Sequence, residues 1–386
     1  MQDASSAAAQ RTATRDQFWA PALRWVEGGW IPDWVIRLAV RRLAAGRLRE
    51  QKAAFAPEAL AAALSAGPIA VRPEKANEQH YELPPGFFRL VLGPRLKYSA
   101  CLWIDGASAL AEAEDAMLQL TCARAQISDG MRILDLGCGW GSLSFWIAEH
   151  FPNAKIVAVS NSTGQRQHIE RECAARGIRS IEVVTADIND FTPSGRFDRV
   201  VSVEMFEHVR NHARLLERIA DWLHEDGKLF VHIFAHRDYA YTYETEGGGN
   251  WMARWFFTGG MMPSANWLPR FATHMVTENH WRICGTHYEK TLNAWLAILD
   301  AQRDEVRPIL ERTYGAENAN LWFQRWRLFL LGSAATFGYA GGSEWSVHHY
   351  VMRRRNRAAY GGTENRDDEV KPAEHATQAL ADFAKK

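Results

Sequence analysis

Ser202 to Val209 reads SVEMFEHV and places two carboxylates and an imidazole, Glu204, Glu207 and His208, in close succession. They follow Arg199 to Val203, an apolar run with the make-up of a buried strand. Ionisable groups beside a sheet core are costly unless each has a partner or a task. Unperturbed imidazole titrates at about 6.5, so His208 flanked by Glu207 has the composition of a general base at neutral pH. Glu204, as a carboxylate, would attract a cationic substrate. The competing reading is a solvated strand end carrying an i,i+4 helical pair.

Met131 to Ser144, MRILDLGCGWGSLS, is the second stretch with chemical potential. An apolar run reaches Asp135, and Gly137, Gly139 and Gly141 lead into Ser142 to His150, which can continue as a helix. This is a buried strand, a glycine turn and a helix N-terminus aimed at a ligand. A dinucleotide fingerprint needs glycine where Ser142 stands, and no Gly-Lys-Ser or Gly-Lys-Thr follows to make a phosphate loop. The GxGxG form behind an acidic residue resembles the methionine-binding loop of class I S-adenosylmethionine (SAM) methyltransferases. In that class a carboxylate after the second strand usually holds the ribose diol. Here the place reads Ser160-Asn161-Ser162 with Gln165 beyond, so the amide oxygens of Asn161 and Gln165 would accept in its stead. Asp187, with Ile188 beside it, is placed for the adenine, a helix cap being the alternative role for Asp187.

These groups converge only if a sheet brings them to one edge. A helix over 107–125 and strands at Met131–Leu136, Lys155–Ser160, Ile181–Thr185, Arg199–Val203 and Lys228–Phe234 predict a doubly wound α/β sheet. Ligands of such sheets lie beyond the carboxyl ends of the strands, where Asp135, Ser160, Asp187 and Glu204 fall. Thr163 to Arg176 reads as a helix closed by Gly177. Met275–Ile283 and Glu344–Met352 supply two further strands, with helices over Thr291–Arg312 and Asn318–Phe337 between them. Asp33 to Lys52 is a basic amphipathic helix that either packs on its own domain or meets a membrane surface. The divisions that follow are an N-terminal helical region (1–76), a cofactor-capping segment (77–115), a SAM-binding Rossmann-like core (116–236), a lid insertion over the substrate (237–270), the C-terminal part of the core (271–355) and a flexible tail (356–386).

Composition excludes several function classes. The 386 residues carry 45 basic and 45 acidic side chains, so no broad electrostatic footprint for nucleic acid exists. Five cysteines without C-x-x-C spacing support neither a disulfide framework nor a zinc site, and they fit a reducing cytoplasm. No metal is expected. There is no signal-like N-terminus and no run of 18 apolar residues, so membrane association would be peripheral at most. Sixteen tryptophans imply large apolar surfaces with polar edges.

Five segments in order, HYELPPGFFRLVLGPRLKYSACLW, LDLGCGWGSLS, SVEMFEHV, FFTGGMMPSAN and GTHYEKTLNAW, resemble the cyclopropane-fatty-acid synthase superfamily of SAM-dependent methyltransferases, and within it the plant coclaurine N-methyltransferases. The resemblance implies that Tyr98 and Ser99 close over SAM, with Gly137, Gly139, Gln165 and Asp187 as further cofactor contacts. It implies that Glu204, Glu207 and His208 hold and deprotonate an amine, and that His232 and Tyr288 belong to the active site. Trp255, Phe256, Phe257 and Trp281 are expected to wall the substrate pocket. The lipid-modifying branch has cysteine where this chain has Ala100, and a Gly-Asn-Asp turn where it has Leu83 to Gly86. The expected activity is therefore transfer of the SAM methyl group to the nitrogen of a small apolar or aromatic amine. Methylation or cyclopropanation of an unsaturated lipid acyl chain is the alternative. Peripheral membrane contact through helix 33–52 and a homodimer stay open.

Overall fold

The computed structural model describes residues 22–71, 83–104, 109–245 and 250–355. Of the divisions expected above, parts of the N-terminal region (1–21 and 72–76), of the capping segment (77–82 and 105–108) and of the insertion (246–249), and the tail at 356–386, lie outside them.

Strands β1 (Arg132–Leu136), β2 (Lys155–Ser160), β3 (Ile181–Thr185), β4 (Phe197–Val203) and β5 (Leu223–His236) run parallel. A short ribbon pairs β6 (Tyr241–Thr242) with β7 (Met261–Met262). Strand β8 (Met275–Ile283) pairs with β9 (Trp345–Arg354), which runs antiparallel between it and β5. The main sheet has the order β3-β2-β1-β4-β5-β9-β8. Its order reverses between β1 and β4, which opens a crevice at their carboxyl ends.

The helices in chain order are α1 (Asp33–Ala54), α2 (Pro57–Ser65), α3 (Pro85–Val91), α4 (Leu110–Arg124), α5 (Ser142–His150), α6 (Thr163–Arg176), α7 (His212–Trp222), α8 (Trp251–Trp255), α9 (Gly285–Ala301), α10 (Arg303–Tyr314) and α11 (Ala319–Phe337). Central strands are buried on both faces, and β1 is buried at every position after Arg132. Successive side chains alternate. Ile133, Val201 and Phe230 meet Leu118 and Cys122 of α4 and Ile147 of α5, whereas Leu134, Val200 and Val231 meet Leu216 and Ile219 of α7. A third cluster joins α3, α9, α10 and α11 through Phe87, Trp295, Leu310 and Trp326.

One expectation is corrected. The single helix over Thr291–Arg312 is two, because Gln302 leaves helical geometry at φ −97°, ψ 22° and α10 restarts at Arg303. Within the excursion at 237–270, Phe256, Met261 and Trp267 are fully buried. Helix α1 packs on α11 with Ile36 and Ala44 buried, and Arg37 Nη2 donates to Asn293 Oδ1 at 2.6 Å. No described helix is long and apolar enough to cross a membrane.

Candidate active site

At the end of β1 the chain turns through Gly137 (φ 85°), Gly139 (φ 54°) and Gly141 (φ 84°) before α5 begins. All three are left-handed, which glycine adopts without steric penalty. A Cβ on Gly137 would strike Met205 at 2.7 Å, whereas one on Gly139 would meet no protein atom within 4 Å. Gly139 therefore faces open space, lining two adjoining cavities of about 810 and 570 Å³ that also share Gly137 and Glu204.

The larger cavity is bounded by Val159, Ser160, Asn161, Gln165, Ala186, Ile188, Met205, His208, Val209, Thr258 and Gly259. Ser160 Oγ accepts from the Ser162 N–H at 3.0 Å, so its own proton goes to Gln165 Oε1 at 2.5 Å. Gln165 Nε2 is left buried without a hydrogen-bond partner among the described residues. Gln165 thus has one unpartnered amide donor, and its oxygen, already accepting once from Ser160, keeps a second lone pair. Asp187 does not line the cavity. Its Oδ1 accepts from Asn189 N at 2.8 Å and Asn189 Nδ2 at 3.1 Å, tying the turn whose flanking residues Ala186 and Ile188 face the ligand space.

The smaller cavity is lined by Lys97, Tyr98, Ser99, Thr121, Asp135, Trp140 and Ser142. Asp135 is buried and accepts from Ser144 Oγ at 2.6 Å. Burial pushes its carboxyl up to about 6, against the pull of that hydrogen bond. Lys97, buried beneath the Tyr98-Ser99 pair, donates to Ser99 Oγ at 2.5 Å and Ala100 O at 2.7 Å. Lys97, Met205, Thr258 and Gly259 sit inside the quoted segments but are not marked as site residues by their types, and nothing in the local sequence marks Thr121. They reach it because long-range packing brings four separate segments to one crevice.

Glu204 is the junction of the two cavities. It leaves β4 at φ 47°, a strained value for a residue with a side chain. Its Oε1 accepts from Ala100 N at 2.8 Å and His232 Nε2 at 3.2 Å, and its Oε2 from Tyr288 Oη at 2.6 Å. Burial opposes ionisation, but His232, the Ala100 N–H and Lys97 outweigh it and hold the carboxyl below its ordinary value. His232 and Tyr288, expected in the active site, both hydrogen-bond to Glu204 there.

Glu207 behaves in the opposite way. Its Oε2 has no hydrogen-bond partner among the described residues, and burial, then the charge of Glu204, raise its carboxyl well above the usual range. Its carboxyl is therefore harder to ionise than a free one, which weakens it as the anionic partner expected for His208. Burial pushes His208 down to about 4, with Glu204 pulling the other way, so its imidazole is neutral. Phe257 lies over His208 with ring centroids 6.4 Å apart.

Three expected pocket aromatics are elsewhere. Phe256 stacks on Phe329 at 4.4 Å inside the helical cluster. Trp255 lies under the Arg325 guanidinium at 3.6 Å, and Trp281 under that of Arg124 at 4.7 Å. An aromatic-rich sequence shows that a large apolar surface exists but not which face of it is walled by protein. Among the described residues no cluster could hold a metal ion.

Residues 70–341 match the family model described as mycolic acid cyclopropane synthetase. Over 291 residues the chain is 37% identical to an (S)-coclaurine N-methyltransferase of Thalictrum flavum subsp. glaucum, covering 74% of this chain and 81% of the relative. The cyclopropane-fatty-acyl-phospholipid synthase of Escherichia coli (strain K12) is 29% identical over 262 residues, 67% of this chain and 63% of that one. A crystal structure of coclaurine N-methyltransferase bound to N-methylheliamine and SAH superposes with a TM-score of 0.82 at 35% identity, covering 86% of this chain and 99% of the other.

Proposed function

The chain belongs to the mycolic acid cyclopropane synthetase family and is a SAM-dependent methyltransferase with the class I fold, and we propose that its methyl acceptor is the nitrogen of a small, largely apolar amine. One observation carries this reading: a carboxylate held ionised, Glu204, and a neutral imidazole, His208, share one cavity with the glycine turn. A cation-attracting anion beside a proton acceptor suits an ammonium group that must lose a proton before its lone pair can react.

The residues present fit SAM. Gln165 Nε2 is an orphaned donor in the larger cavity, Gly139 leaves space where a Cβ would project, and Asp135 and Ser99 line the smaller cavity. When bound, SAM supplies an electrophilic methyl group on a sulfonium. Glu204 attracts positive charge from the junction of the cavities, and its three donors keep it ionised and fixed in direction. A neutral His208 does not repel an ammonium and presents a lone pair to its proton. Thr258 and Gly259 line the larger cavity and Phe257 lies over His208, so one side of the site is walled by protein. Holding the nitrogen in line for displacement supplies much of the remaining acceleration.

The test is incubation of purified protein with SAM carrying a deuterated methyl group and a panel of secondary and tertiary amines, with the label located by mass spectrometry and NMR. Label on nitrogen supports the reading. Label only on acyl chains of added phospholipid vesicles, with stimulation by bicarbonate, favours the lipid alternative. A specific feature supports membrane contact as a second reading: Trp25, Trp30 and Trp34 are 61%, 75% and 69% exposed. Vesicle co-sedimentation tests it, and sedimentation velocity shows whether a second copy covers that patch.

A further inference from the structure

A buried row of side chains leads out of the site from Glu204. His232 Nε2 is 3.2 Å from Glu204 Oε1, His232 Nδ1 is 2.9 Å from His349 Nε2, and His349 Nδ1 is 3.0 Å from Arg124 Nη1. Both histidines are fully buried and Arg124 nearly so. The sheet builds the row: His232 on β5 and His349 on β9 are register partners, and directly opposed residues share a face. Arg124 ends α4 on that face, its guanidinium over Trp281, the partner of His349 on β8.

The row has one direction. A guanidinium donates and cannot accept, so His349 Nδ1 must accept. A neutral His349 then carries its proton on Nε2 and donates it to His232 Nδ1. His232 in turn carries its proton on Nε2, where Glu204 accepts it. An imidazolium at either position would set two N–H groups head to head. Arg124 has no carboxylate partner among the described residues, so its charge is directed along the row. Burial above all, and then the charges of Arg124 and Lys97, disfavour protonation of both rings, with Glu204 pulling the other way on His232.

We propose that Arg124 and His349 are positioning residues that lock His232 in its Nε2–H form, making it an obligate donor to Glu204 and removing it as a candidate base. The reverse tautomer would place a lone pair of His232 against the Glu204 carboxylate and weaken the anion on which cation binding depends. The consequence for turnover rests on the methyltransferase reading; the tautomer does not.

Two measurements test it. Two-bond proton–nitrogen correlation spectra of the protein labelled with ¹⁵N-histidine, recorded at pH 7 without substrate, should show His232 and His349 both neutral and protonated at Nε2. An Nδ1–H form or an imidazolium at either residue overturns the proposal, whatever the enzyme methylates. His349→Gln preserves the polarity, its carbonyl accepting from Arg124 and its NH₂ donating to His232, whereas His349→Leu removes it. The leucine variant should lower kcat/KM for the amine on the order of tenfold, the lower end of what a hydrogen bond to a charged group contributes. The glutamine variant should restore most of that loss, with SAM affinity unchanged in both. Equal losses in the two variants, or loss of SAM binding with kcat/KM for the amine intact, would make the row mere packing and contradict the proposal. If the predicted tautomers are found but no amine is methylated, the row stands and the amine assignment fails.

Discussion

Tyr288 Oη lies 2.6 Å from Glu204 Oε2, joining residues 84 positions apart in the chain. Tyr288 is otherwise held by packing, its ring 4.5 Å from that of Phe337. Tyr288→Phe should keep that packing and remove one of three donors to the anion. A hydrogen bond to a charged group contributes about 1.5–3 kcal/mol, so kcat/KM for the amine should fall about 10- to 100-fold. Steady-state kinetics check this, and an unchanged kcat/KM would reduce Tyr288 to a packing residue.

Gly139→Val should abolish SAM binding. The substitution puts two methyl groups into the open space beyond Gly139 and forces a branched residue to φ 54°. Titration calorimetry that finds wild-type affinity in a folded Gly139→Val protein would remove the cofactor from this turn.

The pH dependence of activity should lack a break near the ordinary histidine value. Burial lowers His208 to about 4, so its proton-accepting form is complete at neutral pH and is lost only as pH falls through that value. Between pH 6 and 8 the wild-type kcat should be nearly flat, because the bound ammonium loses its proton to an imidazole that is already neutral. A wild-type inflection near 6.5 that disappears in His208→Ala would show that the imidazole titrates as if solvated.

Phe256 and Phe257 are adjacent and should respond differently to truncation. Phe256→Ala empties a packed site and should cost about 3–5 kcal/mol of stability with little effect on the KM of the amine. Phe257→Ala, beside His208, should raise that KM. Chemical denaturation and kinetics on both variants separate the cases, and a reversed pattern would return Phe256 to the pocket.

The strands were the most legible part of the sequence. Lys155–Ser160, Ile181–Thr185 and Met275–Ile283 are bounded as the apolar runs and turn residues indicate, and Gly177 closes α6 in the left-handed conformation. Glu204 and His208 were legible because ionisable groups are expensive beside a core, and the glycine turn because its spacing behind Asp135 marks backbone that needs positive φ. The states of Glu207 and Gln165 were not, since these depend on burial and on which atom a neighbour already occupies. Arg124 and His349 were out of reach for another reason: their relation to Glu204 exists only through the register of β5 with β9.

The most direct test of base catalysis at this site is kcat for wild type and His208→Ala on one accepted amine, from pH 6 to 10, beside SAM affinity measured on the same preparations. Removal of a general base should lower kcat on the order of 100-fold near neutrality, with partial recovery at high pH, where free amine forms unaided, and with SAM affinity unchanged. Near wild-type kcat across the whole range would show that His208 is structural, and that the amine loses its proton by another route.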